Sequence, residues 1–259
     1  MLQILEPGKV YVWHTPLSEA VPSLRQLMST KELERLKSFR KEEDRKRALI
    51  SYGLLRLILA QVLKKDPREI MISRTCPHCG KEHGRPQLKE ECPESIEISV
   101  SHSGQWVVIA LSLSVPIGID VEEMRTGLAV DQLASQILSP LEEQEFTLLT
   151  EDEKLEAFYV YWTRKEAILK AFGLGFSISP KQLSVSGWRQ PPRLISWEAD
   201  PSMTEKVNCY SLHFAPEYKA CLSVIGLCNQ ILLNEGATLI RRWEIENQKE
   251  ENVAWERSS

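Results

Sequence analysis

Residues 96–122 read IEISVSHSGQWVVIALSLSVPIGIDVE, and this stretch decides the fold class. Its apolar positions predict three strands, at 96–100, 105–114 and 117–122. A turn at Ser101–Gly104 separates the first two strands. The middle of the chain is therefore expected to build a β-sheet.

Helical patterns lie on both sides of this stretch. Apolar residues at helical spacing predict helices over 28–63, 129–138, 140–149 and 152–172. Further short strands are predicted at 183–187, 193–198, 207–214 and 219–226. The tail from Arg241 onward is polar and is read as either helical or frayed. Because strands and helices mix without a strict βαβ alternation, we expect an α+β fold.

Composition narrows the classes of function. The 259 residues carry a formal net charge of −4, so no global basic character predicts nucleic-acid binding. The N-terminus lacks the pattern of a secretory signal, and no stretch reaches the roughly 20 apolar residues that span a bilayer. We therefore expect a cytoplasmic protein without nucleic-acid or membrane partners, whose six cysteines are reduced thiols.

The first chemical signal is a pair of acidic residues on the strand at 117–122. Alternate side chains of a strand share a face, so Asp120 and Glu122 project together, away from the apolar Ile119 and Val121. Gly118 adds no bulk on the acidic face. A hard divalent cation would relieve the repulsion between the two carboxylates. The alternative interpretation is a solvated strand face that ends in acidic residues.

The second signal is an acidic residue in the apolar stripe of the helix at 152–172. Residues 155, 159, 162, 166 and 169 follow the helical period, and Glu166 stands where an apolar residue belongs. A carboxylate that faces the core is costly unless it is paired or bound to a metal. The alternative is a simple ion pair between Glu166 and Lys170, which explains the pairing but not the position in the stripe.

These residues form motifs that resemble a known family. The stretch Gly118-Ile119-Asp120-Val121-Glu122, followed by Trp162-Thr163-Arg164-Lys165-Glu166-Ala167, resembles the 4′-phosphopantetheinyl transferases. The length resembles the long single-chain type that activates nonribosomal peptide and polyketide synthases. Ser101-His102-Ser103, the Gly84-Arg85-Pro86 segment and the basic residues at 40–47 agree with it. The resemblance covers roughly residues 30–180.

The resemblance implies a fold and a set of site residues. The family fold is a pseudo-dimer of two similar α+β subdomains with the active site in the cleft between them. It implies a division into residues 1–115, which bind coenzyme A, and 116–259, which bind the metal and the carrier protein. The implied metal ligands for Mg²⁺ or Mn²⁺ are Asp120, Glu122 and Glu166. The implied contacts to coenzyme A are Arg47, Arg85, Pro86, Ser101, His102, Lys165 and Lys170.

The implied reaction moves the phosphopantetheine arm of coenzyme A onto a serine of an acyl- or peptidyl-carrier protein. Adenosine 3′,5′-bisphosphate is the leaving group, and catalytic roles fall to Glu142, Glu166 and Lys170. Glu142 matches a proposed general base of the family, although Ser139-Pro140-Leu141-Glu142 also has the pattern of a capping box. A metal-bound water is the rival base. We expect a monomer whose segment Ala129–Leu149 forms part of the carrier platform.

A cysteine- and histidine-rich segment leaves a different function open. Cys76, Cys79 and His83 have the spacing of a zinc knuckle, with Cys92 as a fourth ligand, but only one knuckle is present. One alternative is a non-catalytic, zinc-binding interaction module. Another is a different Mg²⁺-dependent phosphotransferase or hydrolase.

Overall fold

The computed structural model describes residues 5–76, 80–81, 84–90, 92, 94–174 and 178–258, with side chains described up to Gln248. It is an α+β fold, as expected. The helices are α1 Thr30–Ser38, α2 Glu42–Leu63, α3 Val130–Ile137, α4 Pro140–Phe146, α5 Glu151–Ala171 and α6 Ala237–Ser258. The strands are β1 Lys9–Pro16, β2 Ile72–Ser73, β3 Gln87–Leu88, β4 Ile96–Ser103, β5 Trp106–Leu113, β6 Ile117–Glu123, β7 Leu183–Val185, β8 Leu194–Trp197, β9 Val207–Leu212, β10 Tyr218–Ile225 and β11 Gln230–Glu235.

Two sheets form the centre of the molecule. The first has the strand order β11-β1-β5-β4, and the second has the order β6-β10-β9. All neighbours in both sheets are antiparallel except β1 and β11, which run parallel with Lys9 opposite Gln230. Residues 114–116 connect β5 of the first sheet to β6 of the second. The chain therefore changes sheets between two consecutive strands.

The sheets pack face to face, with a helix outside each. Val10 and Val108 of the first sheet share an apolar core with Ile119, Val121 and further residues of the second. The outer face of the first sheet packs against α2 and α6, and α5 lies on the outer face of the second. Each sheet is covered on both faces, which explains why β5 is a nearly continuous apolar run.

The predicted helix over 28–63 is two helices. Phe39 and Lys41 have extended backbones, with φ,ψ of −71°,128° and −89°,137°, so α1 ends before them and α2 begins after them. Phe39 packs against the first core. Glu42, Glu43 and Asp44 form an acidic first turn of α2, which the helix dipole favours.

The first sheet also contains elements that the pattern did not predict. β1 was missed because both of its faces are buried: Val10 and Val12 face the second sheet, whereas Tyr11 and Trp13 face α2. Such a strand lacks the apolar–polar alternation of a half-exposed one. β11 at the sheet edge was missed as well.

The C-terminal residues return to the first half of the molecule. β11 pairs with β1, and Ile240 and Trp243 of α6 are buried in the core around α2. Residues 230–258 therefore belong to the first sheet and its helical layer, although the division at 115/116 assigned them to the second half. The reason is the parallel pairing of β11 with β1, which local patterns do not reveal.

Within the described residues, no helix is both long enough and apolar enough to cross a membrane.

Candidate active site

The site begins at the seam where the edge strands β4 and β6 meet. Serine side chains of β4 satisfy the backbone of β6 there. The hydroxyls of Ser99, Ser101 and Ser103 accept hydrogen bonds from the backbone N–H groups of Ile119, Val121 and Glu123, at 3.0, 3.3 and 3.1 Å. Because alternate residues of a strand share a face, the S-x-S-x-S spacing aims all three hydroxyls at the same neighbour.

The acidic residues of β6 face helix α5, as their alternation with apolar residues predicts. α5 lies so close to β6 that a Cβ atom on Gly118 would stand 2.0 Å from the carbonyl oxygen of Ala167. The absence of a side chain at Gly118 is what lets the helix approach. This contact brings Glu166 and Lys170 of α5 over Asp120 and Glu122.

Lys170 ties the two elements together. Its Nζ lies 2.6 Å from Asp120 Oδ1 and 3.1 Å from both Ser101 Oγ and the carbonyl oxygen of Ile119. Ser101 Oγ also donates to Asp120 Oδ1 at 2.9 Å, and Ser103 Oγ donates to Glu122 Oε2 at 2.6 Å. Lys170 thus pairs with Asp120 rather than with Glu166, the partner that the alternative interpretation gave it.

All three carboxylates of the cluster have a raised pKa. Burial is the largest cause for each, and it raises the pKa of Asp120 against the opposing effect of Lys170. The pKa of Glu122 is raised by burial and by the charge of Asp120. The pKa of Glu166 rises to about 7 through burial and its proximity to Asp120 and Glu122. The predicted acidic cluster is therefore assembled, with a surplus of negative charge.

Two observations bear on a metal at this cluster. Asp120 Oδ2 and Glu166 Oε1 are buried without a hydrogen-bond partner, which is costly unless a cation is supplied. Carboxylate oxygens are the donors that Mg²⁺ and Mn²⁺ prefer. Nevertheless, no group of three Asp, Glu, His or Cys side chains among the described residues stands in an arrangement that holds a metal ion, and Lys170 occupies Asp120 Oδ1. The residues fit a hard cation in chemistry and in their unmet oxygens.

A group of basic side chains borders the cluster on the side of the first sheet. The pKa of His102 is lowered chiefly by desolvation, and the charges of Lys170, Arg47 and Arg74 lower it further. The Arg47 guanidinium donates to the carbonyl oxygen of Gly104 at 2.5 Å and pairs with Asp44. Of these residues, Arg47, His102 and Lys170 were predicted from sequence, and the structure brings all three together.

Arg74 belongs to this group but was missed by sequence reasoning. Its guanidinium stacks on the Tyr52 ring at 4.8 Å, and its Nε and Nη2 atoms are buried without a hydrogen-bond partner. The neighbouring Glu32 is already engaged by Arg56 at 2.8 Å. The only sequence signal was the position of Arg74, between a short strand and the cysteine-rich segment. An arginine whose Nε and Nη2 hydrogen-bond donors have no partner, near the acidic cluster, is suited to bind an anion.

The predicted contact Arg85 is turned toward the protein. Its guanidinium donates to the carbonyl oxygen of Ile98 and to Glu97, both at 2.8 Å, and to the carbonyl oxygen of Ile117 at 3.3 Å. Pro86 beside it is buried. In this arrangement the Arg85 guanidinium bonds to residues of β4 and β6 and joins the two strands, and its charge is paired with Glu97.

Two predicted site residues, Glu142 and Lys165, lie elsewhere. Lys165 is fully buried, and its Nζ lies 2.6 Å from Glu142 Oε2, which is itself 2% exposed. The remaining contacts of the pair are structural. Lys165 donates to the carbonyl oxygens of Ile137 and Pro180, and Glu142 accepts from the backbone N–H groups of Ser139 and Val185.

The roles assigned to this pair are therefore corrected. Glu142 forms the capping box of α4, the alternative reading of its motif, and neither of its oxygens is free to accept a proton from a substrate. Lys165 precedes Glu166 in sequence, but on a helix consecutive residues point about 100° apart. Its Nζ is paired with Glu142 and donates to two carbonyl oxygens in the interior.

The cysteine- and histidine-rich segment is described only in part. Cys79 and His83, two of the predicted zinc ligands, lie outside the described residues. Cys76 is buried, and its carbonyl oxygen accepts from the N–H of Gly80 at 2.9 Å. Cys92, Cys209, Cys221 and Cys228 form no disulfide within the described part of the chain, and the reduced state stays a prediction.

Comparison with known proteins assigns the chain to a family. A model of the 4′-phosphopantetheinyl transferase superfamily matches residues 116–222, and a model of the N-terminal region of 4′-phosphopantetheinyl transferase matches residues 12–114. The transferase HetI of Nostoc sp. is 31% identical over 173 residues, which cover 65% of this chain and 70% of HetI. The chain belongs to the 4′-phosphopantetheinyl transferase superfamily. The suspected resemblance is confirmed.

Other transferases of the superfamily match to a similar extent. The gsp protein of Aneurinibacillus migulanus is 30% identical over a match that covers 73% of this chain and 79% of the gsp protein. Sfp of Bacillus subtilis is 30% identical, covering 61% of this chain and 66% of Sfp. The chain spans about two thirds of the length of several of these relatives, including 65% of the putative transferase slr0495 of Synechocystis.

A solved structure also matches part of this superfamily member. A holo-(acyl-carrier-protein) synthase from Bacillus anthracis, in complex with coenzyme A (3′,5′-ADP), is 23% identical with a TM-score of 0.35. The match covers 44% of this chain and 97% of that one.

Proposed function

We propose that this chain transfers the 4′-phosphopantetheine group of coenzyme A to a serine of an acyl- or peptidyl-carrier protein. The observation that carries the proposal is the meeting of two opposite charge groups at one seam. Asp120, Glu122 and Glu166 gather near Lys170, and the cations Arg47 and Arg74 gather with Lys170 around His102. A diphosphate with a bound divalent cation requires both.

Each group has a role in the proposed reaction. The serine hydroxyl of the carrier attacks the pantetheine-side phosphorus, and adenosine 3′,5′-bisphosphate leaves. His102, Arg47 and Arg74 bind the phosphates of the nucleotide, and Lys170 stabilises the charge that develops on the diphosphate oxygens. Asp120, Glu122 and Glu166 would hold Mg²⁺, which neutralises diphosphate charge when bound.

The serine proton needs an acceptor other than Glu142. Both oxygens of Glu142 are occupied by Lys165 and backbone amides in the interior of the second half. We therefore expect the acceptor to be a carboxylate of the acidic cluster or a water molecule beside it. The Glu142–Lys165 pair is buried, so a docked carrier has no path to it.

The test is a mass assay with fluorescent coenzyme A, Mg²⁺ and an apo carrier protein. The carrier should gain the mass of the labelled arm, and EDTA should abolish the gain. Glu166→Ala should lower the rate by about 100-fold or more, since a lost metal contact is worth several kcal/mol. Glu156→Gln, on the same helix but paired with Lys219, is the matched control. Phosphate release without carrier would refute the proposal in favour of a hydrolase.

The carrier is proposed to dock on the segment Ala129–Leu149. Leu141 and Leu148 of this segment are exposed by 56% and 85%, so they offer apolar surface to a docked carrier. Leu141→Asp and Leu148→Asp should each raise the KM for the carrier while the KM for coenzyme A stays constant. Unchanged carrier KM values in both variants would remove this surface from the proposal.

The proposal also covers the biosynthetic class of the carrier and the oligomeric state of the enzyme. A carrier of nonribosomal peptide or polyketide synthesis is the preferred substrate class, and the monomer is the preferred state. Competition between carrier proteins of these classes and of fatty acid synthesis, read as relative kcat/KM, tests the first. Size-exclusion chromatography with light scattering tests the second.

A further inference from the structure

The turn between β4 and β5, residues 103–105, is fastened from three sides. Arg47 of α2 donates to the carbonyl oxygen of Gly104 at 2.5 Å. The Tyr218 hydroxyl of β10 accepts from the backbone N–H of Gln105 at 2.8 Å. Ser103 Oγ donates to Glu122 Oε2 of β6 at 2.6 Å. These three contacts reach the helical layer of the first sheet and two strands of the second.

The turn has no room to shift. Gly104 has φ of +50°, and a Cβ atom there would lie 2.3 Å from the Tyr218 hydroxyl and 2.5 Å from the Glu123 carboxyl group. Tyr218 also donates to Glu123 Oε1 at 2.9 Å. The hydroxyl of Tyr218 is thus held between Gln105 and Glu123, and it fixes the turn against the end of β6.

The hydroxyl of Ser103 has its direction set by the backbone. A serine hydroxyl has one proton to donate, and Ser103 Oγ already accepts from the N–H of Glu123 at 3.1 Å. Its proton is therefore directed at Glu122. Because the carboxylate accepts this bond through one oxygen, the rotation of the carboxylate is restricted and its other oxygen has a defined position.

The same strand supplies an internal comparison. Ser99 accepts from the N–H of Ile119 at 3.0 Å, as Ser103 does from Glu123, but among the described residues its hydroxyl does not donate to a carboxylate. The two serines therefore share the seam contact and differ in the contact to the acidic cluster. Comparing the two serines therefore distinguishes an effect on the stability of the seam from an effect on the orientation of Glu122.

We propose that Ser103 is a positioning residue for Glu122, and that Tyr218 supports it by fixing the 103–105 turn. The inference rests on the proposed function, in which Glu122 is a ligand of the divalent cation. Groups that orient a metal ligand from behind typically change metal affinity or activity by 10- to 100-fold when they are removed. Ser103 is expected to act in this way.

The experiment compares Ser103→Ala with Ser99→Ala. Mn²⁺ binding to the full-length protein, alone and with coenzyme A, is measured from the paramagnetic resonance signal of free Mn²⁺. Ser103→Ala should weaken Mn²⁺ binding about 10-fold, and Ser99→Ala should change it less than about twofold. Ser103→Thr keeps the hydroxyl and should restore most of the affinity. Tyr218→Phe removes the contacts of the hydroxyl with Gln105 and Glu123 but leaves Ser103 in place, so it should give a smaller loss than Ser103→Ala.

Contrary outcomes are distinct. Equal affinities in Ser103→Ala and Ser99→Ala, or a wild-type protein that binds no Mn²⁺, would overturn the inference. If Ser103→Ala does not fold, wild-type affinity in Tyr218→Phe would count against it. Carrier labelling is assayed in parallel: wild-type protein that binds Mn²⁺ but labels no carrier refutes the proposed function, and the serine comparison still decides the role of Ser103.

Discussion

The buried pair of Lys165 and Glu142 shows how one residue type serves two purposes on a single helix. Lys165 and Lys170 both lie on α5, yet Lys165 is 0% exposed and Lys170 reaches the acidic cluster. Burial lowers the pKa of Lys165, and the charge of Glu142 opposes that shift. Removing either partner would leave the other as a buried charge without a counter-charge.

This arrangement predicts the effect of breaking the pair. Glu142→Gln and Lys165→Met should each lower the free energy of unfolding by about 3–5 kcal/mol, because an uncompensated charge stays buried. The double variant should lose less than the sum of the two. Urea denaturation measures all three.

Activity discriminates this structural role from catalysis. Under conditions where Glu142→Gln remains folded, kcat should stay within about threefold of wild type. A 100-fold lower kcat with unchanged unfolding energy would mean that Glu142 takes part in the chemistry.

Arg74 predicts a different split in the kinetics. Its unmet donors should bind a phosphate of coenzyme A, and a charge-assisted hydrogen bond contributes about 1.5–3 kcal/mol. Arg74→Gln should therefore raise the KM for coenzyme A by about 10-fold or more, with little change in the KM for the carrier. Arg25→Gln, at an exposed position, is the control. Equal effects of the two substitutions would contradict the assignment.

At the residue scale, the acidic cluster was predictable and part of its surroundings was not. Asp120 and Glu122 share one face of a strand by alternation, and Glu166 interrupts the apolar stripe of a helix. Both patterns are visible in a single sequence. Glu142 and Arg85 follow no such rule, because the direction of a long side chain depends on partners distant in sequence. Arg74 was missed for the same reason: its unmet donors become evident only when Glu32 is seen to be bound by Arg56.

At the scale of elements, the contact of α5 with β6 determines the site. The helix rests on the bare backbone of Gly118, and Asp120 and Glu122 lie farther along the same face. A larger residue at 118 would lift the helix and move Glu166 and Lys170 away from β6. The site geometry therefore depends on a glycine that itself carries no functional group.

Gly118→Ala tests this dependence. The added Cβ would meet the Ala167 carbonyl oxygen at 2.0 Å and the Ala171 nitrogen at 2.4 Å, so the backbone itself must move. We expect a loss of at least about 3 kcal/mol in unfolding free energy and a loss of carrier labelling. Gly127→Asn, at φ +80° with open space around it, is the control. A fully active, stable Gly118→Ala protein would contradict the packing argument.

The existence of most elements was predictable, but their ends and two strands were not. The predicted helix at 152–172 differs from α5 by one residue at each end, since a Thr150 cap and a strong stripe define it. β1 and β11 were not predicted, because pairing between strands rather than an alternating apolar–polar sequence pattern defines them. The break between α1 and α2 depends on how Phe39 enters the core, a tertiary effect that outweighs helix propensity.

At the scale of the whole molecule, two face-to-face sheets are covered by helices on both sides, and the site lies where their edge strands meet. The first half is completed only by β11 and α6. Ile240 and Trp243 of α6 fill the core around α2 with 0% and 6% exposure. Arg68 stacks on the Trp243 ring at 4.8 Å.

Truncation tests the contribution of this C-terminal return. A chain that ends after Gly236 loses both Ile240 and Trp243, and the loss of a buried tryptophan alone costs about 3–5 kcal/mol. That is a large share of the roughly 5–15 kcal/mol that stabilises a typical domain. We expect this chain to be insoluble or unfolded by circular dichroism. A chain that ends after Gln248 keeps every described buried residue of α6 and should fold.

The pairing of Lys9 with Gln230 also has a consequence during protein synthesis. Until residues 230–235 have been synthesised, β1 has no neighbour on one edge, and its hydrogen-bonding groups lack the partner that β11 provides. The nascent chain thus carries an open, apolar strand edge until β11 emerges from the ribosome. Chaperone dependence of expression should fall when translation is completed quickly, and it should rise when codons before residue 230 are slowed.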